Sequence, residues 1–368
     1  MSGALVELVS KGVQDAYITD STNGEFLFRT VYAKHRNFSQ SPYQLDFLGP
    51  IQNSGSSTVI LKTQGDFIDK VWLEGLDLHT SLLGSRFELY LGGQMIDSQT
   101  YDFMVEVWQI YMAETQTKSQ TINNYISQTN TKFFPLHFFF CDNNMFLPLL
   151  ALQYHQVEIR CYWGPNISNA GNLSVYGNYI FMDTEDRETV VRNPINILVT
   201  QVQKTTSSSS TLDLSVFNHP IKSIYFGTPL NGDKCDNTSW SFDSASIVLN
   251  GTFLLEKMSP TYFYTVQLYY GSKYGIIDYN VDYDTPYYTQ YFTYNFCLDT
   301  SYKPSGSCNF SRLDSAKMVL QNPVTLTRNS VNKNIFDTGP APSLITVYAV
   351  NYNVLTIKNG VAGILFSN

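Results

Sequence analysis

Carboxylates and aromatic rings crowd one stretch, YGIIDYNVDYDTPYYTQYFTYN at 274–295, where Asp278, Asp282 and Asp284 stand among seven tyrosines. Paired carboxylates hydrolyse glycosides, and aromatic faces stack on sugar rings. Asp282, Tyr283, Asp284 and Tyr287 are therefore the candidate glycan contacts. The simpler reading is a long outer-surface or inter-subunit loop packed by its own tyrosines, and that reading is the expectation. Asp282 and Asp284 also have DxD spacing, but the glycine and distal glutamate of an EF-hand loop are missing. The histidines, His35, His79, His137, His155 and His219, are scattered singly. His155 has no second His, Cys or Asp at ligand spacing, and a structural role is expected for it. GxSxG, HExxH, Walker A, GxGxxG and paired CxxC patterns are absent. The expectation is no catalytic residue, no cofactor and no metal.

Two other chemistries leave weaker marks. Six NxS/T sequons occur, at Asn37, Asn166, Asn172, Asn237, Asn250 and Asn309. A chain rich in Asn, Ser and Thr produces several by chance; Asn166, Asn172 and Asn237, in loop-like sequence, are the candidates for glycosylation. The five cysteines, Cys141, Cys161, Cys235, Cys297 and Cys308, are odd in number and loosely spaced. They suggest buried thiols in a reducing compartment, with a Cys297–Cys308 bridge as the minor alternative.

The elements that position these residues are strands. In RFELYLGG, Phe87, Leu89 and Leu91 alternate with Glu88 and Tyr90, the period of a half-buried strand. HQVEIRCYWG places Val157, Ile159, Cys161 and Trp163 inward. LITVYAVNYNVLTI, 344–357, alternates again and turns Asn351 and Asn353 away from Tyr352 and Val354. YDFMVEVWQIYM is the exception, with Phe103, Val107, Ile110 and Tyr111 on a helical stripe. The fold class is all-β with few short helices.

The 368 residues carry 43% hydrophobic and 15% charged side chains, so a full core is within reach and the surface is weakly charged. A net charge of −8 argues against a nucleic-acid-binding face. No apolar run approaches a membrane span, and MSGALVELVSKGVQDAYITD lacks the basic start of a signal peptide. The expected product is a soluble protein made in the cytosol.

The clearest break is QKTTSSSST, 203–211. On either side the chain repeats itself. GDFIDKVWLEGLDL (65–78) leads to RFELYLGGQMI (86–96); NHPIKSIYFGTPL (218–230) leads to ASIVLNGTFLL (245–255), and both second strands end in turn dipeptides, Gly92-Gly93 and Asn250-Gly251. Duplication predicts two consecutive eight-stranded jelly-roll sandwiches, a double jelly roll. The expected boundaries are an N-terminal arm at 1–24, a first jelly roll at 25–203, a linker at 204–210 and a second jelly roll at 211–368. Phe217–Phe226 would be the first strand region of the second barrel, with His219 a cap or inter-barrel contact beside Pro220.

These pieces resemble the major capsid proteins of the nucleocytoplasmic large double-stranded DNA viruses of algae and amoebae. GALVELVSKGVQDAYIT is similar to the family's arm and TVYAKHRNFS to the entry into its first barrel. GDFIDKVWLEGLDL, FFPLHFFFCDNNMFLPLLALQYHQVEIR, FNHPIKSIYF, PSGSCNFSRLD and YAVNYNVLTIKNGVAGILFSN follow in the family's order. The resemblance implies a homotrimer, a pseudo-hexagonal capsomer meeting neighbouring capsomers in an icosahedral virion shell over an internal membrane, assembled in the host cytoplasm, with no catalytic residue and no direct nucleic acid contact. CDNNMF departs from the family at a point where relatives often carry Arg or Gly. The apolar residues Leu5, Val6, Leu8, Val9 and Val13 of the arm meet minor capsid proteins or membrane on one reading, and their own barrel on another. A two-domain carbohydrate-binding protein or glycosidase is the alternative function.

Overall fold

The computed structural model describes residues 9–10, 35–113, 118, 132–142, 145–229, 238–271, 291–300, 303–328 and 336–366. The chain divides into a first unit, Met1–Asn37, and a second, Phe38–Asn368. All described strands belong to the second unit.

Among the described residues sixteen strands form the main order of two sandwiches, with the short strands Phe47–Leu48, Leu147–Pro148, Cys308–Asn309 and Val361–Ile364 added to their sheets. The first comprises β1 (Phe38–Leu45), β2 (Ser56–Ile60), β3 (Phe67–Glu74), β4 (Arg86–Leu91), β5 (Gln94–Thr100), β6 (Phe133–Pro135), β7 (Val157–Tyr162) and β8 (Ser174–Met182). Its sheets run β1-β8-β3-β6 and β2-β7-β4-β5. The second comprises β9 (Ile195–Ser207), β10 (Thr211–Asp213), β11 (Pro220–Gly227), β12 (Ser244–Leu249), β13 (Thr252–Met258), β14 (Tyr291–Asn295), β15 (Ala316–Gln321) and β16 (Ile345–Lys358). Its sheets run β9-β16-β11-β14 and β10-β15-β12-β13, so each strand takes the place of the one eight earlier. This is the double jelly roll that the sequence repeat implied. The second barrel also carries a small sheet of Thr238–Ser241, Val324–Arg328 and Phe336–Thr338.

Alternation places the core as expected. Phe87, Leu89 and Leu91 are fully buried, and Val157, Ile159, Cys161 and Trp163 nearly so. In the second barrel Phe226 sits among Trp240, Phe242, Phe263 and Phe292, with ring centroids 5.5–6.3 Å away. The two repeated hairpins share their turn chemistry: Gly92 and Gly93 have φ of 55° and 84°, Asn250 and Gly251 of 47° and 80°. Two successive positive φ values make the tight turn whose twist suits paired strands. Gly164 is required by close approach, since a Cβ there would stand 1.8 Å from the Leu83 carbonyl oxygen.

The serine-rich stretch is not the connection between the barrels. Residues 204–207 belong to β9, which pairs with β16 from Ile195↔Ile357 to Ser207↔Ile345. Its polar residues conceal β-branched ones that favour a strand, and only Ser208–Ser210 turn before β10. Consequently Pro220–Gly227 is the third strand of the second barrel, not the first, and it is the counterpart of β3. The barrels are joined instead through helix α1, Thr184–Arg192. Asp183 caps it by accepting from the Thr184 N–H at 2.7 Å, Glu185 and Asp186 occupy the first turn, and Arg192 the last. Arg187 ties it to the buried Asp66 carboxylate at 2.9 Å.

Candidate functional site at the seam between the barrels

The segment that follows β5 makes an extensive contact with the second barrel. Phe103–Met112 forms a wide π-type helix. Its expected single apolar stripe is too narrow: Met104, Val105, Glu106, Trp108 and Gln109 are buried as well, and Ile110 is half-buried. The helix is buried on so many sides because it lies between its own barrel and the outer face of the sheet β9-β16-β11-β14. Phe103 packs against Tyr348 with ring centroids 5.3 Å apart and planes tilted by 55°, and Tyr111 against Tyr225 at 5.3 Å and 46°. The Tyr111 hydroxyl donates to the Tyr291 carbonyl oxygen.

Polar groups fix the register of this seam. The Asp97 carboxylate on β5 accepts from the Val202 N–H on β9 at 2.8 Å, the Ser98 N–H at 3.0 Å and the Gln99 amide at 2.6 Å. Burial pushes its pKa from 3.8 up to about 6, against the lowering effect of these bonds. Gln201 donates to the Ile96 carbonyl. Thr100 and Tyr348 share a hydrogen bond between hydroxyls at 2.9 Å. His137 stacks on Trp108 at 3.5 Å, and burial drives its pKa down to about 3, so the ring is neutral.

Asn351 and Asn353 do face away from Tyr352 and Val354, but toward the seam and not toward water; they are 0% and 4% exposed. Their amides donate to the Gln201 side-chain oxygen at 3.3 and 2.9 Å. From β16 the chain turns at Asn359-Gly360 into Val361–Ile364 and grips the first barrel. There the Tyr154 N–H donates to the Gly360 carbonyl at 3.0 Å, and His155 Nδ1 accepts from the Ala362 N–H at 3.2 Å. His155 is thus a structural clasp.

Other sequence candidates are scattered. His219 has φ 67° and holds Ser311 through its backbone N–H at 2.8 Å, while its side chain lines a cleft of about 220 Å³ with Gln94, Asp97 and Asn351. His79 meets the Tyr101 hydroxyl at 2.5 Å. Asn172 is exposed and Asn166 half-buried beside the turn Ile167–Ala170. Asn237, Asp282, Tyr283, Asp284 and Tyr287 lie outside the described residues. The end of the stretch expected as a loop, Tyr291–Asn295, is strand β14, with Tyr291 buried. Cys297 and Cys308 are free thiols, so the minor alternative of a bridge does not form. Among the described residues no His, Cys, Asp or Glu cluster has the makings of a metal site. Neither Asp97 nor the Gln99 amide was singled out from the sequence; in QMIDSQT the two share one face of β5 and nothing there marks that face as buried.

Comparison with known proteins agrees with this geometry. Residues 26–183 match the model of the major capsid protein N-terminus, and 182–363 that of the large eukaryotic DNA virus major capsid protein. The chain is similar to the major capsid proteins of Pyramimonas orientalis virus (30% identical) and Paramecium bursaria Chlorella virus 1 (26%), each match covering all of both chains. Its fold is similar to the crystal structure of VP54 of PBCV-1, with a TM-score of 0.75 at 24% identity over 93% of this chain and 100% of that one. The Faustovirus major capsid protein aligns with a TM-score of 0.68 at 10% identity over 96% of each chain. The chain belongs to the major capsid proteins of large eukaryotic DNA viruses, a family of structural proteins that assemble with one another into the shell of the virion.

Proposed function

We propose that three copies of this chain form a capsomer whose six barrels present a pseudo-hexagonal outline to neighbouring capsomers. One observation carries the reading: the chain holds two sandwiches of identical strand order, packed side by side through a built seam. Repeating the step from one sandwich to the next around an axis closes a ring when the rotation divides the circle. Light scattering on the purified 41.8 kDa chain tests it. A mass about three times that value which survives dilution is expected; a one-chain mass at every concentration would sink the trimer.

The division of labour along the chain follows from the same reading. Residues 1–24 act as an arm toward minor capsid proteins or an internal membrane, and the partition between barrels falls at α1, where the two family matches meet at 182–183. Assembly in the host cytoplasm suits a chain whose described thiols are free. Asp282, Tyr283, Asp284 and Tyr287 keep their proposed role as glycan or outer-surface contacts on sequence grounds alone. Among the candidate sequons Asn172, exposed, is the position best suited to carry a glycan.

A further inference from the structure

The seam inside one chain supplies the template for the contact between chains. On the outer face of the second barrel, Tyr225 of β11 pairs with Tyr348 of β16, and Gly227, two residues on, pairs with Tyr291 of β14. On the outer face of the first barrel, Trp72 of β3 pairs with Tyr176 of β8, and Glu74, two residues on, pairs with Phe133 of β6. Since β3 and β11, β8 and β16, and β6 and β14 hold the same places in their sheets, Trp72, Tyr176 and Phe133 are the counterparts of Tyr225, Tyr348 and Tyr291.

The two triads differ in what covers them. Tyr225, Tyr348 and Tyr291 are at most 1% exposed, with Tyr111 and Phe103 of the first barrel's helix against them. In the other triad Trp72 stacks on Tyr176 at 5.6 Å and approaches Phe133 at 6.5 Å, yet Phe133 is 39% exposed and the other two are only half-buried.

The covering helix has a counterpart as well. After β13 comes a second π-type helix, Tyr262–Val266, continuing as Gln267–Gly271. Tyr270 stands as far past the first residue of this helix as Tyr111 stands past Phe103. Tyr111 is 1% exposed, whereas Tyr270 is 77% and its neighbour Tyr269 78%. A large aromatic side chain held exposed on a helix is the kind of anchor that interfaces bury.

We infer that Tyr270 of one copy packs on the Trp72–Tyr176–Phe133 row of the next, reproducing between chains the contact that Tyr111 makes with Tyr225 within one. The occupant is a second copy of this chain, because the surface that would cover the row already exists on the chain and is itself uncovered. The contact is head-to-tail, so each copy uses both surfaces once. This inference rests on the capsomer reading above.

The test uses the full chain and four proteins: wild type, Trp72→Asp, Tyr270→Asp and a control, Val216→Asp, which alters a residue 54% exposed beside Ser215, at the Asn250 end of the sheet β10-β15-β12-β13 and away from the helix that carries Tyr270. Masses are read by light scattering over a dilution series, with circular dichroism to verify folding. Wild type and the control should hold the three-chain mass, and Trp72→Asp and Tyr270→Asp should each fall to one chain at a concentration at least tenfold higher. Mixing the two variants should yield a two-chain species, since one supplies an intact Tyr270 and the other an intact Trp72 row. If both variants keep the wild-type mass, or the mixture stays at one chain, the pairing is overturned while the trimer stands. A one-chain wild type would overturn both. Should Trp72→Asp fail to fold, Tyr270→Asp decides alone, because its ring touches Tyr269 and otherwise projects from the surface.

Discussion

Replacing Asp97 by asparagine isolates the charge at the centre of the seam. Its pKa of about 6 in the folded chain, against 3.8 without the fold, means that the folded protein binds the proton more tightly than the unfolded one. The shift is about two units, each worth about 1.36 kcal/mol, so ionised Asp97 destabilises the neutral fold by about 3 kcal/mol. The sign follows from linkage: between those pKa values the folded state holds more protons, so stability falls as pH rises toward 6 and recovers on acidification. In Asp97→Asn the two backbone donors, Val202 and Ser98, keep their acceptor, since both bonds go to Oδ1. What changes is the Gln99 contact to Oδ2, where an amide would oppose an amide. The Gln99 oxygen lacks a partner and can be turned into place, at the loss of a hydrogen bond worth about 1 kcal/mol. The variant should therefore be the more stable protein at pH 7 by about 2 kcal/mol. Its advantage should shrink by about 2 kcal/mol between pH 7 and pH 4, because only the wild type carries the titrating group. Urea unfolding of both proteins at pH 7, 6, 5 and 4 measures the difference, from which all other carboxylates cancel. A difference that stays flat across that range would refute the reasoning.

Three further outcomes are expected. Phe226→Ala, which empties the centre of the ring cluster formed by Trp240, Phe242, Phe263 and Phe292, should cost about 3–5 kcal/mol in urea unfolding; a loss below 1 kcal/mol would mean that the cluster is not packed as described. Gly164→Ala forces a methyl group onto the Leu83 carbonyl and should destabilise by about 1–3 kcal/mol, against no change if that loop can move aside freely. His137 is neutral when folded and normal when unfolded, so its contribution is present above about pH 6.5 and is lost as pH falls toward 3; His137→Phe, which keeps the ring on Trp108, should flatten that acid-side loss, and an unchanged pH profile would count against it.

What could be read from the sequence was whatever repeats over a short range. The stretch from Phe67 to Glu74 and that from Pro220 to Gly227 betray their equivalence because an interior strand of each sandwich must present the same alternating apolar residues to its core. The twin hairpins showed through their turn dipeptides. The strand β9 stayed hidden, since Gln201, Gln203, Lys204 and Ser207 look like linker until β16 is laid beside them. Alternation turned Asn351 and Asn353 away from Tyr352 and Val354 but did not say what they face, because it distinguishes the two faces of a strand and not water from a polar seam. The helix at 103–112 had its type recognised and its surroundings missed: burial on more than one side comes from the second barrel, far away in sequence. The aromatic rows needed paired registers in two sheets before either could be seen as a counterpart of the other.

The position of the eighth strand in each barrel has a temporal consequence. In both sandwiches it lies between the first and third, so β1 and β3 must wait for β8, and β9 and β11 for β16. During synthesis each barrel is a slot held open, with unpaired backbone on both walls, until its final strand emerges. The first slot can shut before the second barrel exists. The second cannot shut until the hairpin that also clasps Tyr154 and His155 has left the ribosome, so a chain cut short before that hairpin offers neighbours an open sheet in place of a finished wall.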